Sequence, residues 1–256
     1  MDAIGQVLLG LTAWVFLIFS LRFSSWHERC QVITMVVVAT GFECFGSLIL
    51  RAYVYRLDNL PIYVPPGHGL FYLYALRVSE LPLLQRHTRL TVWSALFGST
   101  AILLYNLTDS AHPDVFGLVT WLAFLSCLIR TGSSLYAVSF AMTMALEFYG
   151  TGLGNWKWAV ELPVLGIPSA NPPACIGVGY CVMDATARRI APKVYSFIAR
   201  HRDSSLVSSQ RFIRHLAVAR TLMLVRSPNE PIPAVPLLQH KKEQPSRDEI
   251  PPSSYI

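Results

Sequence analysis

The sequence predicts an all-α fold, a polytopic transmembrane helical bundle of about seven spans. Three observations lead there. Apolar residues make up 53% of the 256 and charged residues only 14%, against the roughly one quarter charged that coats a soluble domain. The apolar residues come in runs close to the length that crosses a hydrocarbon core about 30 Å thick. The net charge of +6 is concentrated in the last quarter of the chain, which fits a tail against anionic lipid and argues against nucleic acid as a partner.

The first run, residues 4–21, follows Met1-Asp2-Ala3 and ends in bulky residues before Arg22. A cleaved secretory signal would carry a basic start and a small-residue cleavage site, so this run reads as a retained span. The second run is 32–53. The third, 69–84, is short and carries Arg77 and Glu80. The fourth, fifth and sixth are 90–107, 115–129 and 134–149. The seventh begins at Pro172 and ends near Met183 or Thr186. Seven spans put the termini on opposite sides. Arg22, Arg29, Arg86, Arg89, Arg130 and the basic tail from Arg188 then share one side, while the other holds Arg51, Arg56 and Lys157. The positive-inside rule orients such a chain in the cell membrane with its N-terminus outside and its C-terminus cytoplasmic.

The expected organisation is a membrane domain over 1–186, a basic amphipathic interfacial segment over 187–226, and a disordered Pro-rich cytoplasmic tail over 227–256. In the middle segment Phe212, Ile213, Leu216 and Leu222 alternate with Arg211, Arg214 and Arg220, a pattern suited to anionic lipid or a cytoplasmic partner. Beyond it prolines recur and no apolar period survives.

An internal duplication is also legible. Glu43-x-x-Gly46 and Glu147-x-x-Gly150 occupy the second and sixth spans, and Pro65-Pro66 and Pro172-Pro173 precede the third and seventh. Glu43 and Pro66 are 23 residues apart, Glu147 and Pro173 are 26. This reads as a 3+1+3 parallel repeat, an arrangement in which sites form where the repeats meet. The alternative is that Pro-Pro marks a helix start and that Glu-x-x-Gly recurs by chance. Glu43 lies near mid-span and Glu147 near an end, which favours the alternative.

A carboxylate in hydrocarbon costs a few kcal/mol and usually faces the bundle interior. Glu43 is the most costly residue by that argument, and its simplest role is a polar contact to another helix. Glu147 shares a helical face with Tyr136, Phe140 and Thr143. It precedes Gly150-Thr-Gly-Leu-Gly-Asn-Trp-Lys-Trp158, a loop whose glycines allow close backbone approach but which lacks the Gly-Lys-Ser/Thr of a phosphate loop. Trp156 and Trp158 are read either as interface anchors or as ligand-stacking rings. His68 opens the third span, on a face with Tyr72, Ala75 and Ser79, and Asn171 holds the matching place before the seventh. His68, Glu43 and Glu147 would be a sparse metal set, with no HExxH or paired-His spacing, so neither a metal nor another cofactor is expected. Arg77 with Glu80, and Asp184 with Arg188 and Arg189, read as structural pairs near the inner ends. The five cysteines are scattered, without a CxxC pair, and read as small buried hydrophobes. All four lysines lie outside the spans, which excludes a retinal Schiff base. No nucleotide motif supports an ATP-driven pump.

The run 147–158, followed by Gly166-Ile-Pro-Ser-Ala-Asn-Pro-Pro173, resembles the membrane-embedded carotenoid hydratases of bacteria, which have a Glu, a Gly-rich turn, an aromatic pair and a Pro-marked span. Pro65-Pro-Gly-His68 resembles a segment of uncharacterised actinobacterial polytopic membrane proteins. The second aromatic positions are Trp here, and only Glu147 and its loop are carried over.

The expectation is an integral membrane protein that binds and modifies an apolar lipid or isoprenoid by intramembrane acid/base chemistry. Its catalytic groups would be Glu147, His68 and Glu43, and its substrate-binding groups Tyr136, Thr143, Tyr72, Trp156 and Asn171. A secondary transporter or channel of repeat architecture, with Glu43 as its coupling site, and a non-enzymatic accessory subunit are the alternatives.

Overall fold

The computed structural model describes residues 2–200, and over them the chain is mostly helical. Helix α1 (Ala3–Leu21) is capped by the Asp2 carboxylate, which accepts from Gly5 N–H at 2.8 Å. Helix α2 (Trp26–Glu43) opens on a capping box in which Ser25 and Glu28 satisfy each other's backbone N–H groups, two of the orphan donors every helix start must cover. Directly after Glu43 the winding widens into a π-helical turn, Cys44–Ile49, a departure that recurs at functional sites. The chain reverses through Arg51, in the left-handed region at φ 50°, into strand β1 (Tyr53–Tyr55).

Helix α3 (Val64–Ser79) carries Pro65 and Pro66 in its first turn, where proline loses no helical hydrogen bond. A short α4 (Pro82–Arg86) leads to α5 (Thr88–Asn106) and α6 (Val115–Thr131), the latter capped by Asp114 and closed by Gly132 at φ 56°. Helix α7 (Ser134–Gly152) runs into three short strands, β2 (Trp156–Trp158), β3 (Glu161–Leu162) and β4 (Ile167–Pro168). Helix α8 covers 178–200. Helix α3 packs against α1, α2 and α7, while α5 packs against α6 and α7. One core joins Leu17, Val32, Met35 and Tyr72 to Tyr180 and Met183 of α8. A second joins Phe124, Phe140 and Met144 to Cys175 and Cys181. Strands β1 and β2 pair antiparallel, with Tyr53 opposite Trp158 and Tyr55 opposite Trp156.

Two helical stretches, Ala3–Leu21 and Trp26–Ile49, have the length and composition to cross a membrane, with mean hydropathies of 2.1 and 1.9; Val115–Thr131 is apolar but shorter. Helices lie at the expected runs with shifted ends, but among the described residues only these two stretches pass as spans, against the seven expected. The second run is longer at its start and stops before Tyr53, because the π turn and β1 take its last residues. The third is earlier than 69–84, since Pro65 and Pro66 lie inside it rather than ahead of it. The seventh does not begin at Pro172: residues 171–177 form bends and turns, held because Asp114 accepts from the N–H groups of Ala170 and Ala174 at 3.1 and 2.8 Å. Helix α8 continues past Thr186, the expected end of the membrane domain. The rest of the expected 187–226 segment and the 227–256 tail lie outside the described residues. Cys30, Cys175 and Cys181 are buried, Cys44 and Cys127 are partly so, and all five are free thiols.

Candidate functional site

Two carboxylates sit under the β1–β2 ribbon, and each is held by the strand that follows it in sequence. Glu43 Oε2 accepts from the hydroxyls of Tyr53 and Tyr55, both at 2.7 Å. Glu147 Oε2 accepts from the indole N–H groups of Trp156 and Trp158 at 2.9 and 3.0 Å. Side chains two apart on a strand point to the same face, so Tyr-Val-Tyr and Trp-Lys-Trp each present two donors to one acid. Between the two sets the rings of Tyr53 and Trp158 lie 4.6 Å apart.

The glycines of the two Glu-x-x-Gly segments are the seats of those rings. A Cβ on Gly150 would lie 1.9 Å from the Trp156 ring, and one on Gly46 would lie 3.1 Å from the Tyr53 ring. In each half, the bare backbone one turn beyond the acid lets the aromatic residue fold back onto the helix and reach the carboxylate.

Glu43 has a further partner. His68 Nε2 lies 2.9 Å from Glu43 Oε1, and His68 Nδ1 lies 2.7 Å from the hydroxyl of Tyr180 on α8. An ionised carboxylate only accepts hydrogen bonds. The network therefore assigns the proton to Nε2, with Nδ1 accepting from Tyr180. Both side chains of the Glu43–His68 pair are 14% exposed. Phe71 stacks on Tyr180 with ring centres 4.0 Å apart, fixing the phenol. Tyr55 lies beyond the helices. Burial, and then the Glu43 charge, pushes its hydroxyl well above the ordinary phenol range, so it remains a donor.

One helical turn further along α3 and α8 lies another acid, Asp184. Asp184, 2% exposed, accepts from Tyr72 and from Tyr136 at 3.1 Å. Arg188 Nε lies 2.9 Å from both of its oxygens, and Gln31 donates to Tyr72 at 2.6 Å. His68 and Tyr72 are four apart on α3, as are Tyr180 and Asp184 on α8, so the two helices meet through two rungs of opposite sense.

The structure brings Glu43 with His68, and Glu147 with Trp156, beside one ribbon, and separates the other candidates from them. Tyr72 and Tyr136 serve Asp184 instead. Tyr136 shares a face with Glu147 but lies eleven residues away, roughly 16 Å along the helix. Thr143 turns its hydroxyl back to Ser139 O at 2.7 Å, the usual escape of a buried helical Thr. Asn171 Oδ1 accepts from Trp158 N–H at 2.9 Å and so supports the strand. Arg77 pairs with Glu28 across helices at 2.9 Å, rather than with Glu80 on its own face. The residues missed at sequence level are Tyr53, Tyr55, Tyr180 and the gathering role of Asp184. The aromatic-x-aromatic triplets, 10 and 12 residues after Glu43 and 9 and 11 after Glu147, are the signal that finds the first two.

Among the described residues no three His, Cys, Asp or Glu side chains converge as metal ligands. A cavity of about 400 Å³ opens beside the ribbon, with Trp158, Lys157, Asn171 and Tyr105 on its wall. Trp158 separates this cavity from Glu147. Comparison with family models, curated proteins and solved structures finds no match.

Proposed function

We propose that this chain is an integral membrane protein that binds an apolar lipid or isoprenoid and modifies it by acid/base chemistry at Glu43 and Glu147. The observation that carries the reading is the Glu43–His68–Tyr180 chain beside a second acid, Glu147, under an aromatic roof. Two carboxyl groups in different surroundings are what proton transfer in opposite directions requires. In the reaction class suggested by the resemblance to carotenoid hydratases, one carboxylic acid gives its proton to a double-bond carbon. Water adds to the resulting cation, and the proton it releases goes to the other carboxylate. His68, anchored by Tyr180, holds the Nε2 proton toward Glu43. Trp156 and Trp158 orient Glu147 and wall the apolar side.

The membrane reading extends to a bundle of about seven spans, N-terminus outside and C-terminus cytoplasmic. Its support is the exposure of the large apolar side chains Trp93, Phe97 and Leu104 on α5 and of Ile129 on α6, which lipid would cover at no cost. The 3+1+3 repeat is supported by the paired motif of acid, glycine seat and aromatic strand. That pairing also favours a second reading, a carrier whose coupling site is Glu43 between the repeats.

The test compares lipid extracts by mass spectrometry from cells expressing wild type, Glu147→Gln, Glu43→Gln or no protein. A species that changes with wild type alone supports the enzyme. Four identical profiles, with Glu43→Gln abolishing uptake or export in vesicles, transfer the case to the carrier.

A further inference from the structure

A second cavity, of about 350 Å³, lies between α1 and α3 away from the ribbon, within the volume range of ligand sites. Phe16, Phe19, Phe23 and Leu73 form its apolar walls, and Ser20, Ser24, Tyr74 and Arg77 are its polar lining residues. Three features distinguish it from an ordinary groove between helices. Ser24 is 7% exposed, yet its Oγ has no hydrogen-bond partner among the described residues. A buried hydroxyl without a partner costs free energy, and Ser24 is one of the residues that line the crevice. The Arg77 side chain is 47% exposed and engages Glu28 through Nη2 alone, leaving guanidinium N–H groups to bind a second anion. Finally, the turn between α1 and α2 is held rigid by Arg29, whose guanidinium donates to the carbonyls of Arg22 and Ser24, both at 3.0 Å.

We propose that this crevice binds one anionic phospholipid. An acyl chain would lie against Phe16, Phe19, Phe23 and Leu73, and headgroup oxygens would accept from Arg77 and from the Ser24 hydroxyl. The occupant follows from the combination: an apolar wall excludes a free small anion as the full ligand, and the Arg77 N–H groups not engaged by Glu28 favour an anionic headgroup over a zwitterionic one. The site is separate from Glu43 and Glu147 and stands whether or not they are catalytic.

The test uses the full chain purified in detergent, with native mass spectrometry and thermal unfolding as readouts. The probes are phosphatidylglycerol, phosphatidylcholine and inorganic phosphate. One phosphatidylglycerol retained per chain, with a raised Tm, is expected, while phosphatidylcholine and phosphate leave Tm unchanged. Ser24→Ala breaks no hydrogen bond within the chain and should weaken phosphatidylglycerol binding roughly tenfold, the worth of one hydrogen bond to a charged group. Glu28→Gln frees Arg77 and should tighten it. Equal binding of the two phospholipids, stabilisation by phosphate alone, or undiminished binding in both Ser24→Ala and Arg77→Gln would overturn the proposal.

Discussion

Tyr53 and Trp158 face each other across the two-stranded ribbon, their rings 4.6 Å apart, yet they donate to different acids, Tyr53 to Glu43 and Trp158 to Glu147. The ribbon therefore fixes the two carboxylates relative to one another, though they come from helices more than a hundred residues apart in sequence. A shift in the β1–β2 register would exchange or lose donors at both acids together, because every second strand residue changes face. This mechanical tie is the reason to treat Glu43 and Glu147 as one site.

Glu43→Gln should fold and Glu43→Ala should not fold well. A Gln oxygen can accept from Tyr53 and Tyr55 while its amide donates to His68, provided the His proton moves to Nδ1 and Tyr180 becomes the acceptor. Alanine leaves two phenols and an imidazole without their partner, at about 1–3 kcal/mol each where no water reaches. Thermal melts in detergent should place Gln within a few degrees of wild type and Ala far below. Lipid conversion should be absent in both, because neither carries an exchangeable carboxyl proton.

Gly150→Ala should be much worse than Gly46→Ala. The new methyl meets Trp156 at 1.9 Å in the first case and Tyr53 at 3.1 Å in the second. Trp156 is pinned by the ladder and by Glu147, so overpacking should cost about 1–3 kcal/mol and pull the indole off the acid. At Gly46 the ring needs to yield only slightly, and the gain in helix propensity, up to about 1 kcal/mol, offsets it. Tryptophan fluorescence should shift in Gly150→Ala and stay put in Gly46→Ala; equal melts for the two would refute the seating role.

How much of this was legible follows from range. The helices announced themselves because apolar runs are local signals. Glu43, Glu147 and His68 stood out because charge is expensive among apolar neighbours. The ribbon did not, since a three-residue strand carries almost no periodicity, and Tyr53 was absorbed into the second apolar run. Tyr136, read onto the Glu147 face, and Tyr72, read onto the His68 face, are bound elsewhere for a related reason. Helical-face arithmetic says which residues share a stripe, but not that Asp184, distant in sequence, would claim both hydroxyls.

Tyr180→Phe and Tyr72→Phe should separate chemistry from stability. Tyr180→Phe keeps the stacking on Phe71 but removes the hydroxyl that orients His68. Activity should fall by up to roughly 10²-fold, the low end of what a positioned acid–base group contributes, with little change in Tm. Tyr72→Phe takes a donor from buried Asp184 and a partner from Gln31, so it should lower stability by about 1–3 kcal/mol and leave lipid conversion per folded molecule unaltered. Paired melts and product assays decide this. The reverse pattern would place the working acid at Asp184.

Asp114 is the strongest candidate for a purely structural acid. It is fully buried, and its oxygens accept from Gly117 N–H at 2.9 Å, Asn106 Nδ2 at 2.9 Å, and the backbone N–H groups of Ala170 and Ala174. It thus caps α6 and at the same time ties the 170–174 turn to the end of α5. Asp114→Ala should cost about 3 kcal/mol or more, as a lost cap plus unpaired buried donors. Gly117→Ala should reproduce the loss from the other side, because its Cβ would sit 2.0 Å from Asp114 Oδ2. Since Asn171 in the same turn holds Trp158 N–H, both variants should also loosen Trp158 and quench or shift its fluorescence below the melting transition. Two substitutions at different positions with one shared signature would establish the turn as the support on which the Trp158–Glu147 contact rests.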